Sequence, residues 1–342
     1  MKNRNQRPGT PRTRTRTLKR PTAPPLRSTR PPAADLHIHT THSDGVCSPC
    51  EVVIAAANIG LSALAITDHD TLSAQTVARP EATRLGLELV GGIELTAEFE
   101  GREVHILGHF VRDDEPALVA ATATLRRDRV QRLKGMVDRL ADLGLSVDLT
   151  VLGRAFPRAT LGRRHLAEWL VRTGQVAGHR EAFTRYLGDD GPAHVPKPRL
   201  AAGLAIALIQ GAGGVAGLAH PPYDLRELTL RGLVDAGLGS LEVAGHGIDA
   251  RRGQRLRDWA DRHQLVPIAG SDFHAGDRPG RWIGSITTPG ADLERLRERA
   301  ASVPLPPAGG SGSPSDREAS AEGRCLAASD EIDRIERTLA EG

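Results

Sequence analysis

This 342-residue chain predicts an α/β fold: a parallel sheet or barrel interrupted by a helical insertion. Three observations carry that expectation. Short apolar runs alternate with helical patterns, as in the units that build parallel sheets. Nearly every predicted strand closes on a histidine or a carboxylate, and polar side chains gathered at the carboxyl ends of parallel strands mark the active end of an α/β barrel. Between the two alternating blocks, residues 112–197 read as almost wholly helical, which is most simply a cap over one end.

The elements follow in order. "ADLHIHT" is a strand, and "SPCEVVIAAANIG" a helix with Ser48 at its N-cap, Pro49 at its first position and Gly60 at its close. "LSALAITDHD" is a strand and "LSAQTVARPEATRLG" a helix, followed by strands in "LELVGGIELTAEF" and "REVHILGHF". In the insertion, "ATLRRDRVQRLKGMVDRLADLG" and "GRRHLAEWLVRTG" both show helical spacing. The second block runs helix "RLAAGLAIALIQGAG", strand "GVAGLAHP", helix "LRELTLRGLVDAG", strand "GSLEVAG", helix "DARRGQRLRDWADRHQ" and strand "LVPIAGSDFH". The organisation expected is a basic disordered tail over 1–32, a barrel over 33–111 and 198–300, a cap over 112–197, and a low-complexity tail over 301–342 that ends in a short helix, "SDEIDRIERTLAE".

The charge is unevenly placed. The first 32 residues hold ten Lys/Arg and no Asp/Glu, so the overall +3 leaves about −7 on the remainder. A mildly acidic body suits a cation-binding protein better than a general nucleic-acid binder. No signal-peptide pattern or membrane-length apolar run is present, and three cysteines indicate a reducing compartment, so a cytoplasmic location is expected. Cys47 and Cys50 form a C-x-x-C with no second pair to complete a structural zinc site; they read as part of a helix start.

The strand ends carry the chemistry. His37 and His39 share a face at i and i+2, with Asp44 just beyond, and Asp272 and His274 form a second such pair. "TDHD" supplies Asp68, His69 and Asp70; Glu94 follows "LVGGI"; His105 lies in the next strand; His220 ends "GVAGLA". Histidine with carboxylate and no thiolate suits Mn, Zn or Fe, with Mg also compatible, and nine candidates exceed the needs of one ion. Two or three divalent ions sharing carboxylates are implied, a cluster that activates a water and clamps a phosphoryl group. No serine or cysteine sits in a nucleophile setting, which leaves water. Asp68 and Asp70 are expected to orient imidazoles.

"DLHIHTTHSDG", "AITDHD", "GIELTAE", "HILGHF", "LAHP" and "GSDFH" resemble, in order, the motifs of the polymerase-and-histidinol-phosphatase (PHP) phosphoesterases, over about residues 34–290. The resemblance implies a distorted (β/α)7 barrel with up to three divalent metals, manganese foremost. It implies His37, His39, Asp44, His69, Glu94, His105, His220, Asp272 and His274 as ligands, with Glu94 bridging. His109 shares a strand face with His105 and competes for its place. "TLGRRHLAEWLV" and "GPAHVPKPR" resemble the capped subgroup that cleaves 3',5'-nucleoside bisphosphates and trims short RNA from the 5' end. That subgroup commonly reads G-R-P-H and P-A-Y-V-P-K; here Arg164 replaces the proline and His194 the tyrosine. Arg126, Arg129, Arg163 and Lys197 are the candidate contacts to a second phosphate, and His165 and His246 candidate donors to the leaving group. The expected partner is a phosphorylated nucleotide or short RNA, with no membrane and no obligate protein partner. Histidinol-phosphate phosphatase and a noncatalytic metal-bound scaffold in a nucleic-acid complex are the alternatives.

Overall fold

A computed structural model of the chain describes residues 33–157, 159–197, 199–276 and 281–304. The basic tail, most of the low-complexity tail, its short helix and Cys325 lie outside the described residues.

Strand–helix alternation produces β1 (Ala33–Ile38), α1 (Pro49–Asn58), β2 (Ala63–Ile66), α2 (Ser73–Leu85), β3 (Glu88–Val90), β4 (Gly92–Phe99) and β5 (Arg102–His109). The insertion follows as α3 (Pro116–Asp142), α4 (Leu149–Ala155), α5 (Arg163–Arg172), α6 (His179–Ala182) and a π-helical stretch, Phe183–Leu187. The chain returns through β6 (Leu200–Ala201), α7 (Ala202–Gly211), β7 (Val215–Leu218), α8 (Glu227–Asp235), β8 (Ser240–Ala244), α9 (Ala250–Arg262), β9 (Val266–Ala269), β10 (Thr288–Pro289) and α10 (Gly290–Ala301). The start of α1 is as its sequence predicts. Ser48 accepts from the Glu51 backbone and Glu51 returns a bond to the Ser48 backbone, with Pro49 at the first turn.

The strands form two sheets, in the orders β10-β1-β2-β3 and β6-β4-β5-β7-β8-β9. Two expectations are corrected here. "LELVGGIELTAEF" is two strands broken at Gly91, and the sheet is not uniformly parallel. β5 is antiparallel to both β4 and β7, because β4 and β5 are joined by a tight turn at Glu100–Gly101 rather than by a crossover helix. The two sheets meet at both sides through isolated bridges, Ile38 to Phe273 and His69 to Glu94. Seven strands, β1, β2, β4, β5, β7, β8 and β9, thereby follow one another around a ring. Along β1, Ala34 and Leu36 pack with Leu293 and Leu296 of α10. The pairing with β2 is irregular between Asp35 and Ile38, and past that point His37 and His39 both turn toward Glu94. There β9 runs so close that a Cβ at Gly270 would lie 2.4 Å from the Cβ of His37, so only glycine fits.

Helix α3 links the two parts of the molecule. Its first half buries Leu118 and Leu125 against the barrel flank, and its second half puts Leu133, Met136 and Leu140 into a separate core with Leu152, Leu166, Leu170 and Leu187. Twenty-seven residues span about 40 Å at 1.5 Å per residue, enough to serve both. Each fully buried leucine contributes roughly 2 kcal/mol by removal from water, so the inserted helices hold a core of their own. Among the described residues, no helix is long and apolar enough to cross a membrane.

Candidate metal centre

The nine predicted ligands converge. Glu94, third residue of β4 and fully buried, sits among five imidazoles. Its Oε2 lies 2.9 Å from His69, 3.2 Å from His39 and 3.5 Å from His37. Its Oε1 lies 2.8 Å from His105 and 3.1 Å from His220. One carboxylate therefore faces two groups of imidazoles with different oxygens, the geometry of a bridging ligand. Asp272 Oδ1 is 3.3 Å from His39 and 3.5 Å from His37; Asp44 Oδ1 is 3.2 Å from His274 and 3.9 Å from His69. Three sets place their ligand atoms within 4.8 Å of one another: His39, Asp44, His69 and His274; His37, His39 and Asp272; His69, Glu94 and His105.

The donor set fits divalent ions on the evidence of its own atoms. Asp44 Oδ1, His69 Nδ1 and Glu94 Oε2 are buried without a well-aligned hydrogen bond. They crowd other ligand atoms inside the cluster, His69 Nδ1 at 2.9 Å from Glu94 Oε2 and Asp44 Oδ1 at 3.2 Å from His274. The Nε2 atoms of His37 and His39 lie only 3.1 Å apart. Buried polar atoms left unpaired cost roughly 1–3 kcal/mol each, a cost a shared cation removes. The titration pattern has the same cause. Burial depresses the imidazoles. At His39 and His105 the carboxylates override it, lifting them to about 10 and about 9, whereas at His69 burial prevails and the ring falls to about 4. Burial would raise Glu94 and Asp44, yet the imidazoles hold both well below the carboxylate range.

Backbone strain sits at the same place. His220 and Asp272 adopt positive φ, 23° and 46°, which bends the strand ends so that their side chains turn inward; such conformations cost roughly 1–3 kcal/mol each.

The groups that orient the imidazoles differ from expectation. Asp68 accepts from the Thr40 backbone (2.7 Å), the Thr40 hydroxyl (2.6 Å) and Ser43 (2.5 Å), bracing the loop between His39 and Asp44. Asp70 accepts from the Thr96 backbone and pairs with Arg129 at 2.6 Å. Asp70 spends its hydrogen bonds on the Thr96 backbone and the cap, while Asp68 reaches an imidazole through Ser43, whose hydroxyl lies 3.4 Å from His39 Nδ1. Imidazole orientation otherwise falls to Glu242 on β8, which accepts from His37 Nδ1 at 3.0 Å and from the His220 backbone, to the Asp272 carbonyl, 3.0 Å from His274 Nδ1, and to Glu103, 3.2 Å from His105 Nε2. Sequence reasoning missed Glu242 and Glu103. The signal for Glu242 was present, since it is the one charged residue between apolar neighbours in "SLEVA".

His109 does not replace His105. Four residues further along β5 it lies about 13 Å away, fully buried, donating from Nε2 to the Leu36 carbonyl at 2.8 Å.

The cap residues divide. Lys197 donates to Thr96 Oγ1 at 2.7 Å beside the centre, and burial with the Arg129 charge lowers its ammonium to about 8. Arg129 reaches Thr96 as well as Asp70. Arg126 lies one turn earlier on α3, partly buried. Arg163 turns away into the cap, pairing with Asp189 at 2.5 Å and donating to the Leu187 carbonyl. Its neighbour Arg164 is the one that approaches the ligands, 3.4 Å from Asp44 Oδ2. Arg132, buried near Arg163 and Arg129, is pushed down to about 10. His165 is engaged at the start of α5: its Nδ1 accepts from the Gly162 backbone, and burial holds the ring at about 4. A ring kept neutral and bonded in this way is a structural pin rather than a proton donor. His246 lies beside Asp272 and the Ser271 backbone, with Nε2 buried and unpaired.

A cavity of about 200 Å³ adjoins the centre, lined by Glu103, Val104, His105, Ala219, His220 and Pro222. A larger one of about 990 Å³, beside Val215, Gly239, Val266 and Arg299, lies at the opposite ends of the strands and contains none of the ligands.

Known proteins share this sequence and arrangement. The family model for the PHP domain matches residues 35–194. A 5'-3' exoribonuclease of Haemophilus influenzae is 34% identical over 254 residues, covering 73% of this chain and 91% of that protein. A 3',5'-nucleoside bisphosphate phosphatase of Chromobacterium violaceum is 35% identical over 265 residues, covering 73% and 90%. A phosphoribosyl 1,2-cyclic phosphate 1,2-diphosphodiesterase of Eggerthella lenta is 36% identical over 250 residues, covering 70% and 93%. Among solved structures, a proposed metal-dependent phosphoesterase of Bifidobacterium adolescentis superposes with a TM-score of 0.73 at 32% identity, covering 79% of this chain and 98% of that one. An amidohydrolase of Chromobacterium violaceum with bound sulfate gives 0.70 at 32%, covering 78% and 96%.

Proposed function

The chain belongs to the PHP family of metal-dependent phosphoesterases, and on that premise we propose that it removes a phosphate from 3',5'-nucleoside bisphosphates or trims short RNA from the 5' end. The observation that carries the hydrolytic reading is Glu94, whose two oxygens face separate imidazole groups. His37, His39, Asp44, His69, Glu94, His105, His220, Asp272 and His274 would hold two or three divalent ions, manganese foremost. Ions so held supply Lewis-acid chemistry: they make water nucleophilic near neutral pH and neutralise phosphoryl oxygens.

The protein's own groups do the rest. Glu242 fixes the His37 ring by accepting its Nδ1 proton, and the Asp272 carbonyl does the same for His274, so each presents Nε2 inward. Asp68 holds the loop that sets His39 and Asp44. Arg129 and Lys197 crowd around Thr96, and the burial and the neighbouring Arg129 charge that together lower Lys197 are offset by an anion between them. A substrate with a second phosphate supplies that anion; arginine binds it as a fork and lysine as a point charge. His246, beside Asp272, is the remaining candidate for protonating the leaving oxygen.

The test is phosphate release from adenosine 3',5'-bisphosphate, 5'-phosphorylated oligoribonucleotides, histidinol phosphate and a ribose 1,2-cyclic phosphate, each with manganese added and after chelation. Turnover of the first two above the others supports the reading. Preference for histidinol phosphate or the cyclic diester replaces it, and no manganese-dependent release from any substrate leaves only the scaffold.

A further inference from the structure

Glu103 stands at a junction the hydrolytic reading does not use. It lies on β5 two residues before His105, on the same strand face, and its Oε1 is 3.2 Å from His105 Nε2. His105 Nδ1 points the other way, 2.8 Å from Glu94. The ring is therefore held between two carboxylates, one in the centre and one behind it. The outer carboxylate is in turn gripped by the segment returning from the cap to β6. Arg199 Nε donates to Glu103 Oε2 at 3.0 Å, Arg199 Nη1 reaches Glu98 at 3.4 Å, and Lys197 Nζ stands 3.8 Å from Glu103 Oε1. Lys197 also donates to Thr96, the residue paired with His105 across β4 and β5. The contacts form one chain: return segment, Glu103, His105, Glu94.

We propose that Glu103 is a positioning residue that couples the cap to the metal centre, fixing the His105 ring with Nδ1 inward and being fixed itself by Arg199. A carboxylate accepting the outer N–H of a ligating imidazole sets its tautomer and raises its basicity, and removing one typically costs 10–100-fold in metal affinity. The cap thus tunes the occupancy of the ion position built on His69, Glu94 and His105. This rests on the reading of His105 as a ligand.

Chelator-stripped full-length protein is titrated with Mn(II), with bound ion followed by electron paramagnetic resonance and heat. Glu103→Gln is expected to weaken one class of Mn(II) site by about 10–100-fold and to leave the others alone. Arg199→Ala weakens the same class by a smaller factor, and the double variant is no worse than Glu103→Gln, because the two act through one contact. Arg102→Ala, on the same strand as Glu103, removes an exposed pair with Asp224 of the segment between β7 and α8 and leaves all sites unchanged. His105→Ala abolishes the affected class. Wild-type affinity in Glu103→Gln, with a site lost in His105→Ala, overturns the proposal alone. An unaffected Arg199→Ala, or additive effects in the double variant, overturns the link to the cap. Wild-type binding in His105→Ala overturns the ligand reading, and the proposal with it. Arg199 packs at the edge, so its variant tests the link even if Glu103→Gln misfolds.

Discussion

Replacing Glu94 with glutamine tests the centre most sharply, because the two side chains have the same shape. Glu94 presents Oε2 to His69, His39 and His37 and Oε1 to His105 and His220, all within 3.5 Å. An amide keeps one acceptor and turns the other oxygen into an NH2 group. Whichever way it settles, one of the two imidazole groups faces a donor where it had a negative charge. A unit charge about 4 Å from a cation is worth roughly 4 kcal/mol at an effective dielectric of 20. At 1.36 kcal/mol per decade the expected loss is about three decades in Mn(II) affinity or in kcat/KM. Glu242→Gln, which touches His37 from behind, should cost only about 10–100-fold. Titration of the stripped proteins with Mn(II), and phosphate release from adenosine 3',5'-bisphosphate at saturating metal, read the two effects. A single cooperative unfolding transition of the metal-free Glu94→Gln protein is the control that the fold is retained. A Glu94→Gln enzyme within about tenfold of wild type in both assays refutes the bridging argument, and so does a Glu242→Gln loss larger than that of Glu94→Gln.

Lys197→Ala should raise KM for adenosine 3',5'-bisphosphate about tenfold or more while barely moving that for p-nitrophenyl phosphate, since it removes a point charge aimed at the second phosphate; equal effects contradict that role. Arg163→Ala should do less, its guanidinium being committed to Asp189. Asp68→Ala removes three buried hydrogen bonds and should cost about 3 kcal/mol, read as a lower denaturant midpoint at constant slope; a loss below about 1 kcal/mol shows that the loop is held some other way. Burial pushes His109 from 6.5 down to about 4. The unfolded chain therefore binds more protons, and the stability linked to this ring is complete above about pH 6.5 and lost as pH falls toward 4, by roughly 3 kcal/mol. Denaturation of wild type and His109→Gln across pH 7 to 4 should show a shallower acid slope in the variant; parallel curves disprove the linkage.

The first ligands were legible because side chains alternate along a strand. Once "DLHIH" is read as extended, His37 and His39 are expected on one face. Asp272 and His274 lie beyond β9, where Asp272 adopts φ 46°, so their convergence comes from that loop and not from strand alternation. Parity could not separate His105 from His109, which occupy the same face of β5. The pairing of β5 with β4 sets Leu107 opposite Glu94 and leaves one histidine on either side of it. Only the side-chain contacts, His105 Nδ1 at 2.8 Å from Glu94 and His109 on the Leu36 carbonyl, show which of them faces the carboxylate. The break between β3 and β4 was hidden because "GG" in an apolar run reads equally as a pause in one strand or a break between two. Cap cations were the least legible. The partner of Arg163 lies 26 residues on and that of Arg129 lies 59 residues back, and helical spacing carries no information about either. Arg164 read as a departure that left the pocket's shape open, and it is the guanidinium nearest a ligand.

The two sheets share a buried core, and the two isolated bridges between them among the described residues lie among the ligands: Ile38 to Phe273 joins the end of β1 to the Asp272 loop, and His69 to Glu94 joins two ligands directly. Cations in this position act as rivets across both seams of the ring. Loading them stabilises the folded state by RT ln(1 + [ion]/Kd). Protein short of the ion would then lack that increment of stability, while the core shared by the two sheets remains.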